Sequence, residues 1–351
     1  MMKRIAAIIL LAITLLLCGC SNHRVLRIRL SGDTLGETYS ECIGESTTVR
    51  NMSDDSSDFY RLTQLPVYEI IPHCPTQEEF KEFAKAFGVS EEDGGELIDR
   101  KDMFNYRKYR DPSIKEEKKN NPGKRLDGIS AVGMDKEPGY YSYEIGYSGP
   151  DQSTPYVPMS DAELEKAAWD VFNRIPFFKG LDYEYVGVVS EREVTNPDGT
   201  KYIECVRVNF RRLVDGIPVN GNDMCYIYFN GSGVCEIVIN MFDYKKVGMM
   251  DVVPYKTALE NVREPDAMVI PAEKNHMDGK ADTMTVERTK LFYINQYTEF
   301  LADEGMILQP CYSLKGTLSN STGSAEFNSL IIAIPNKYTY KEKLYTDEDC
   351  C

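Results

Sequence analysis

Three His, ten Cys, 55 Asp and Glu and 23 Tyr are the side chains of this 351-residue sequence that could do chemistry. His23 lies near the start, in polar chain. His276 sits in the polar run Ala272-Glu273-Lys274-Asn275-His276-Met277-Asp278, which reads as a solvated loop. His73 precedes Cys74 and Pro75. A His beside a Cys suggests an activated thiol, but adjacent residues point apart, and a nucleophile and its base must approach in space. No H-E-x-x-H, G-x-S-x-G, phosphate-binding loop or dinucleotide fingerprint occurs. Acidic residues are spread along the whole chain, so no carboxylate pair is singled out for glycoside hydrolysis. The reading that follows is no enzyme, no cofactor and no metal site. A hydrolase with an unrecognised carboxylate pair is the alternative.

The thiols lack metal-binding or redox spacing. There is no C-x-x-C, and Cys42, Cys74, Cys205, Cys225, Cys235, Cys311, Cys350 and Cys351 are widely scattered. Cys205, Cys225 and Cys235 fall in strand-like runs, where Cys behaves as a small apolar residue. Free or buried thiols are expected. A Cys205–Cys225 or Cys225–Cys235 cross-strand bridge is the alternative. The Tyr excess is denser around one strand, with Tyr141, Tyr143 and Tyr147 on one parity. Tyr offers apolar area with a polar tip, which suits an interface or a stacked sugar. These three are the candidate binding residues, against ordinary strand packing.

Lys and Arg number 40 against the 55 acids, for a formal charge of −15. A nucleic-acid binder needs a basic face, so that class is excluded. The chain opens Met1-Met2-Lys3-Arg4 and continues apolar from Ile5 to Leu17. Such a helix is about 20 Å long, short of a ~30 Å hydrocarbon core, so it reads as an export signal. It ends Leu17-Cys18-Gly19-Cys20, which resembles the bacterial lipobox. That resemblance implies cleavage before Cys20, a diacylglycerol on its sulfur, and a protein held by lipid to the outer face of the cell membrane. Losing Lys3 and Arg4 would take the charge to −17.

The elements behind these residues are helices and alternating strands. Thr76–Phe87 begins with a Thr76/Glu79 capping box, carries Phe80, Phe83, Ala84 and Phe87 on one face, and meets Gly88. Ser160 to about Ile175 repeats the device with Ser160/Glu163 and a stripe of Leu164, Ala168, Val171, Phe172 and Ile175. Trp169 sits at the edge of that stripe. Pro254–Val262 has Pro in its first turn and Tyr255, Ala258, Leu259 and Val262 in register. Strand runs follow each: Tyr140–Tyr147 after the first; Tyr183–Val189, Val206–Arg211, Met224–Phe229 and Val234–Asn240 after the second; Val286–Ile294, Met306–Leu318 and Phe327–Ile334 after the third. The fold class expected is α+β, as repeated helix-plus-antiparallel-sheet units behind a flexible lipidated tether. The expected boundaries are 1–19 signal, 20–60 tether, 61–150 a degenerate first unit, 151–250 and 251–340 two better-formed units, and 341–351 an acidic tail.

The stretch Asp215-Gly216-Ile217-Pro218-Val219-Asn220-Gly221, with Tyr226-Ile227-Tyr228-Phe229-Asn230-Gly231-Ser232-Gly233-Val234 after it, resembles the PepSY/FTP superfamily. Leu291-Phe292-Tyr293 and Leu308-Gln309-Pro310-Cys311-Tyr312-Ser313-Leu314 resemble the closing module of the YycH/YycI regulators. Together the likenesses span about residues 155–335. They imply PepSY-like modules and a protein partner at the cell envelope, such as a peptidase or a sensor kinase. YycH and YycI carry a transmembrane helix where this chain has its lipobox. The residues alone read Gly216 as a turn, Pro218 as a break in strand pairing and Asn220-Gly221 as a return to the sheet. The function expected is a lipid-anchored extracytoplasmic binding or regulatory protein, with a small-molecule or glycan-binding lipoprotein as the alternative.

Overall fold

The structure is a computed structural model. It describes residues 28–29, 43, 46–52, 61–99, 103–109, 111–121, 129–135, 140–145, 155–196, 198–221, 223–260, 262, 268–271, 277–295, 307–333 and 339–340. The fold is α+β with far more strand than helix.

The first helix, α1 (Gln77–Ala86), starts where its capping box predicts. Thr76 Oγ1 accepts from the Glu79 amide at 3.2 Å, and Glu79 Oε2 accepts from the Thr76 amide at 2.7 Å. It is followed by β4 (Glu96–Asp99), β5 (Met103–Tyr109), β6 (Ile129–Asp135) and β7 (Tyr140–Ile145), an antiparallel meander. A short polar helix, α2 (Pro112–Asn120), interrupts it, capped by Asp111. It buries no side chain, so no apolar period marked it in the sequence.

The next helix, α3 (Asp161–Phe172), also has its capping box, Ser160 with Glu163. Four antiparallel strands follow: β8 (Asp182–Thr195), β9 (Lys201–Val214), β11 (Met224–Asn230) and β12 (Gly233–Asn240). The β7–β12 ladder then joins the two sets edge to edge, with Tyr141 opposite Ile239. One core fills the face beneath both helices, from Phe80, Phe83 and Tyr106 to Leu164, Phe172, Phe210, Ile227 and Ile239. Arg174 clamps the helices, donating to the Ala86 carbonyl at 2.6 Å and lying 4.6 Å over the Phe87 ring. Residues on both sides of the boundary expected at 150/151 therefore share one core. The β7–β12 pairing that brings them together is non-local and leaves no periodic trace in the sequence.

The third helix, α4 (Tyr255–Glu260), precedes β14 (Met268–Pro271), β15 (Thr283–Asn295), β16 (Gln309–Asn320) and β17 (Gly323–Ile332), in sheet order β14-β17-β16-β15. Tyr255, Ala258, Met284, Leu314 and Phe327 lie in a second core. The segment expected as tether to residue 60 is partly built into this sheet. Strand β2 (Thr48–Asn51) runs parallel to the start of β15. Ile43 and Thr47 are buried, and Thr47 donates to the Ala281 carbonyl at 2.6 Å. Four residues of strand with a single apolar side chain, Val49, were too short to register as alternation. Ile28–Arg29 (β1) pair in parallel with Thr339–Tyr340 (β18).

Strand β10 (Ile217–Gly221) joins the two sheets. Asp215 (φ 50°) and Gly216 (φ 76°) make a two-residue turn with both centres left-handed, the hairpin geometry that Asp-Gly favours. Ile217 and Pro218 then pair back on β9. Val219, Asn220 and Gly221 run parallel to Tyr293, Ile294 and Asn295 at the end of β15. A ribbon of β3 (Gln64–Pro72) and β13 (Phe242–Asp251) lies at the junction. There Tyr68, Ile70, Val214, Val219, Phe242, Tyr293 and Leu308 form a third cluster.

Candidate functional site

The junction carries the densest buried polar chemistry. Asp223 follows β10 and is only 3% exposed. Its Oδ2 accepts from the Tyr244 hydroxyl at 2.6 Å, and that hydroxyl accepts from Asn295 Nδ2 at 3.1 Å. Asp223 Oδ1 has no hydrogen-bond partner among the described residues. Burial pushes the carboxyl up to about 7, against the pull of the Tyr244 hydrogen bond and of Arg212. Burial likewise raises the Tyr183 and Tyr244 hydroxyls. Arg212 lies 5.3 Å over the Tyr183 ring. Arg211 pairs with Glu184 at 3.1 Å and lies 5.1 Å over Phe292 of the second sheet. This group can hold or release one proton near neutrality where the two sheets meet. Asp223 lies in the polar run Asn220-Gly221-Asn222-Asp223, which reads as loop, so sequence reasoning missed it.

Beside the junction a cleft of about 620 Å³ lies between α1, the end of α3 and the start of β8. Trp169, Phe172, Phe178 and Tyr183 line it, with Glu82, Lys179 and Asp182 as its charged groups. Trp169 is half-buried, its ring 4.7 Å from Phe210. The volume falls in the range of small-molecule sites.

His73 joins the β3–β13 ribbon to α1. Its Nδ1 is 3.0 Å from Asp243 Oδ2, and its Nε2 is 3.2 Å from Glu79 Oε1 at ion-pair range without hydrogen-bond alignment. Cys74 is exposed, with its thiol 3.9 Å from the Pro72 carbonyl, so His73 is engaged by carboxylates rather than by its neighbour. Among the described residues no group of three or more His, Cys, Asp or Glu is placed to hold a metal.

Of the candidate Tyr residues, Tyr141 does not stand on an exposed face. Tyr141 is fully buried, stacked at 4.3 Å on Phe177 and edge-on to Phe83 at 5.8 Å. Alternation alone could not tell a core Tyr from a binding one. Tyr143 pairs through its backbone with Val132 and Ile237. Tyr147, Cys20, His23, His276, Cys42, Cys350 and Cys351 lie outside the described residues. Cys74, Cys205, Cys225, Cys235 and Cys311 are free thiols. Cys225 lies among the helix-facing core residues, on the parity opposite to Cys205, so neither cross-strand bridge to Cys225 forms.

Strand β8 is an open edge of the first sheet, as β4 is at its other end. It pairs with β9 over its whole length and with no other described strand. Val186, Val188 and Val189 are 38%, 46% and 39% exposed, and three irregularities interrupt the ladder. Bulges of this kind guard an edge against indiscriminate pairing.

No family model matches the sequence, and no curated protein matches it. Among solved structures the chain is similar to the crystal structure of YycH from Bacillus subtilis, at TM-score 0.36 and 8% identity. The likeness covers 75% of this chain and 52% of that one, so the chain spans about half of its length. At that TM-score the likeness decides neither topology nor activity. No helix among the described residues is long and apolar enough to cross a membrane.

Proposed function

We propose that this protein is a lipid-anchored, extracytoplasmic binding or regulatory protein that contacts a protein partner at the cell envelope, such as a sensor or a peptidase, and does so without catalysis. The observation that carries the partner reading is the β8 edge, with its exposed Val186, Val188 and Val189 and an outer side that no described strand covers. A free edge offers main-chain donors and acceptors to a partner's strand, and alternate side chains supply selectivity. The net charge of −15 favours a basic partner surface. Three helices that each precede a set of antiparallel strands support a reading as repeated PepSY-like units.

The test is crosslinking in intact cells followed by purification of the tagged chain. Replacing both Val186 and Val188 by Lys is expected to cut partner recovery at least tenfold. Stability is expected to stay within about 0.5 kcal/mol, since both side chains are exposed. Recovery unchanged by the double variant would refute the edge as the contact.

The anchor rests on the Leu17-Cys18-Gly19-Cys20 signature. Cys20→Ala is expected to move the protein from the membrane fraction into the soluble or unprocessed fraction, because lipid chains contribute ~0.8 kcal/mol per buried CH₂. Retention in the membrane at the native level would remove the lipid from this account. A small ligand is the second reading, favoured by the aromatic cleft at Trp169 and Tyr183. A thermal shift with cell-wall fragments that Trp169→Ala abolishes would support it.

A further inference from the structure

We propose that the cleft beside the junction binds an organic ammonium ion carried on a small apolar body, with Trp169 as the ring that receives the charge. This rests on the second reading above, in which the cleft is a small-ligand site, and it names the ligand class.

The walls are set by short stretches of chain. The last turns of α3 bring Trp169 and Phe172 to the cleft. A single 3-10 turn, Pro176–Phe178, returns Phe178 to stack on Phe172 at 4.7 Å. Gly180 (φ 85°) then turns the chain into β8, and Tyr183 settles 4.9 Å from Phe172 and 4.7 Å from Phe178. Phe172 and Phe178 are each 4% exposed, so these rings are fixed by one another. Phe177 of the same turn meets Phe83 at 5.5 Å, which holds α1 and its Glu82 at the cleft.

The charge of the ligand follows from the charges around it. Glu82, Lys179 and Asp182 are all exposed, and none has an ion pair with a described residue. Elsewhere on the surface Lys81, Lys85 and Lys201 pair with Glu78, Glu92 and Glu193 at 3.4, 2.8 and 2.7 Å. Two carboxylates against one ammonium leave the cleft negative, on a chain of formal charge −15. That field repels an anion and draws in a cation. The aromatic walls favour the same choice, because a ring face attracts a cation and Trp does so best. Arg212 already lies over Tyr183 at 5.3 Å. Trp169 is half-buried, and Phe172 and Phe210 meet it at steep angles of 79° and 74°. It is the ring with surface left to offer. A volume of about 620 Å³ is far more than an ammonium group fills, which leaves room for an apolar body beside it.

Trp169 is the single Trp of the chain, so its emission reports the cleft without a label. The experiment excites it where Tyr does not absorb and titrates the full chain with benzylammonium, benzyl alcohol or benzoate at constant ionic strength. The expected result is a saturable change with benzylammonium, half-complete at about a tenth of the concentration the other two require. Glu82→Gln with Asp182→Asn is expected to raise the benzylammonium midpoint about tenfold and to leave that of benzyl alcohol in place. Equal midpoints for the three probes would overturn the ammonium assignment and leave the small-ligand reading standing. An emission change with cell-wall fragments and none with benzylammonium would do the same. No change with any of them would overturn both. The comparison of probes on the native chain decides the matter if the double variant does not fold.

Discussion

Gly221→Ala is expected to destabilise the chain by roughly 4 kcal/mol or more. Gly221 sits at φ 109°, and an added Cβ would lie 2.0 Å from the Asn295 carbonyl oxygen. The conformation alone costs an L-residue about 1–3 kcal/mol. The clash adds more, because the obstructing atom is backbone and cannot rotate away. Relief requires β10 to lift from β15, which breaks the pairing of Val219 with Tyr293 and of Asn220 with Ile294. Lifting also uncovers Val219 and Tyr293, which are 1% and 0% exposed. Urea unfolding measures the loss. Gly199→Ala is the control, since Gly199 has φ 85° with nothing within 4 Å of an added Cβ. Equal losses in the two variants would show that backbone strain, and not the contact between sheets, sets the cost at Gly221. Separation into two unfolding transitions would show that β10 is what makes the sheets unfold together.

Asp223→Asn is expected to remove a pH dependence and to stabilise the protein above neutrality by as much as about 4 kcal/mol. Burial raises the Asp223 carboxyl to about 7 in the fold, from the ordinary carboxylate value of 3.8. Below pH ~4 the group is protonated folded and unfolded, and it costs nothing. Between ~4 and ~7 the folded state holds the proton and the unfolded state releases it, so stability falls as pH rises. Above ~7 the loss is complete. Asparagine keeps a neutral acceptor for the Tyr244 hydroxyl, which Asp223 Oδ2 now receives at 2.6 Å. Unfolding free energies from pH 4 to 8 are therefore expected to diverge, with the variant gaining over the native chain toward high pH. Parallel profiles would show that Asp223 ionises as readily in the fold as out of it.

The helices and much of the strand content were legible in the sequence. Thr76/Glu79 and Ser160/Glu163 announce their helices because a capping box is complete within four residues. Phe80, Phe83 and Ala84 are buried where the helical period puts them. The hairpin Met224–Asn240 and the Asp215-Gly216 turn follow from alternation and from glycine at positive φ. Strands β2, β3, β4, β5, β6, β13 and β14 were not legible there. In β13, exposed Asp243, Lys245, Lys246 and Val247 follow one another without a clean period.

The sites were far less legible. Asp223, Tyr244 and Asn295 come from three separate segments and meet only in the fold. Tyr141 had the composition of a binding residue, and its burial under Phe83 and Phe177 could not be read from parity.

Taken alone, the sequence determined the acidic charge, the α+β class and three of the helices, because composition needs no fold and a helix's caps and period are complete within one short stretch of chain. The tertiary structure alone decided that the first two helix-and-strand sets share a core, that β10 bridges two sheets, and that Thr47 and Ala281 meet across 234 residues. It also decided which carboxyl, hydroxyl and amide groups face one another. Local order follows from backbone geometry and side-chain period. Long-range pairing is chosen by whichever arrangement buries the most apolar surface while leaving the fewest polar groups unmatched, a sum over the whole chain that no short window contains.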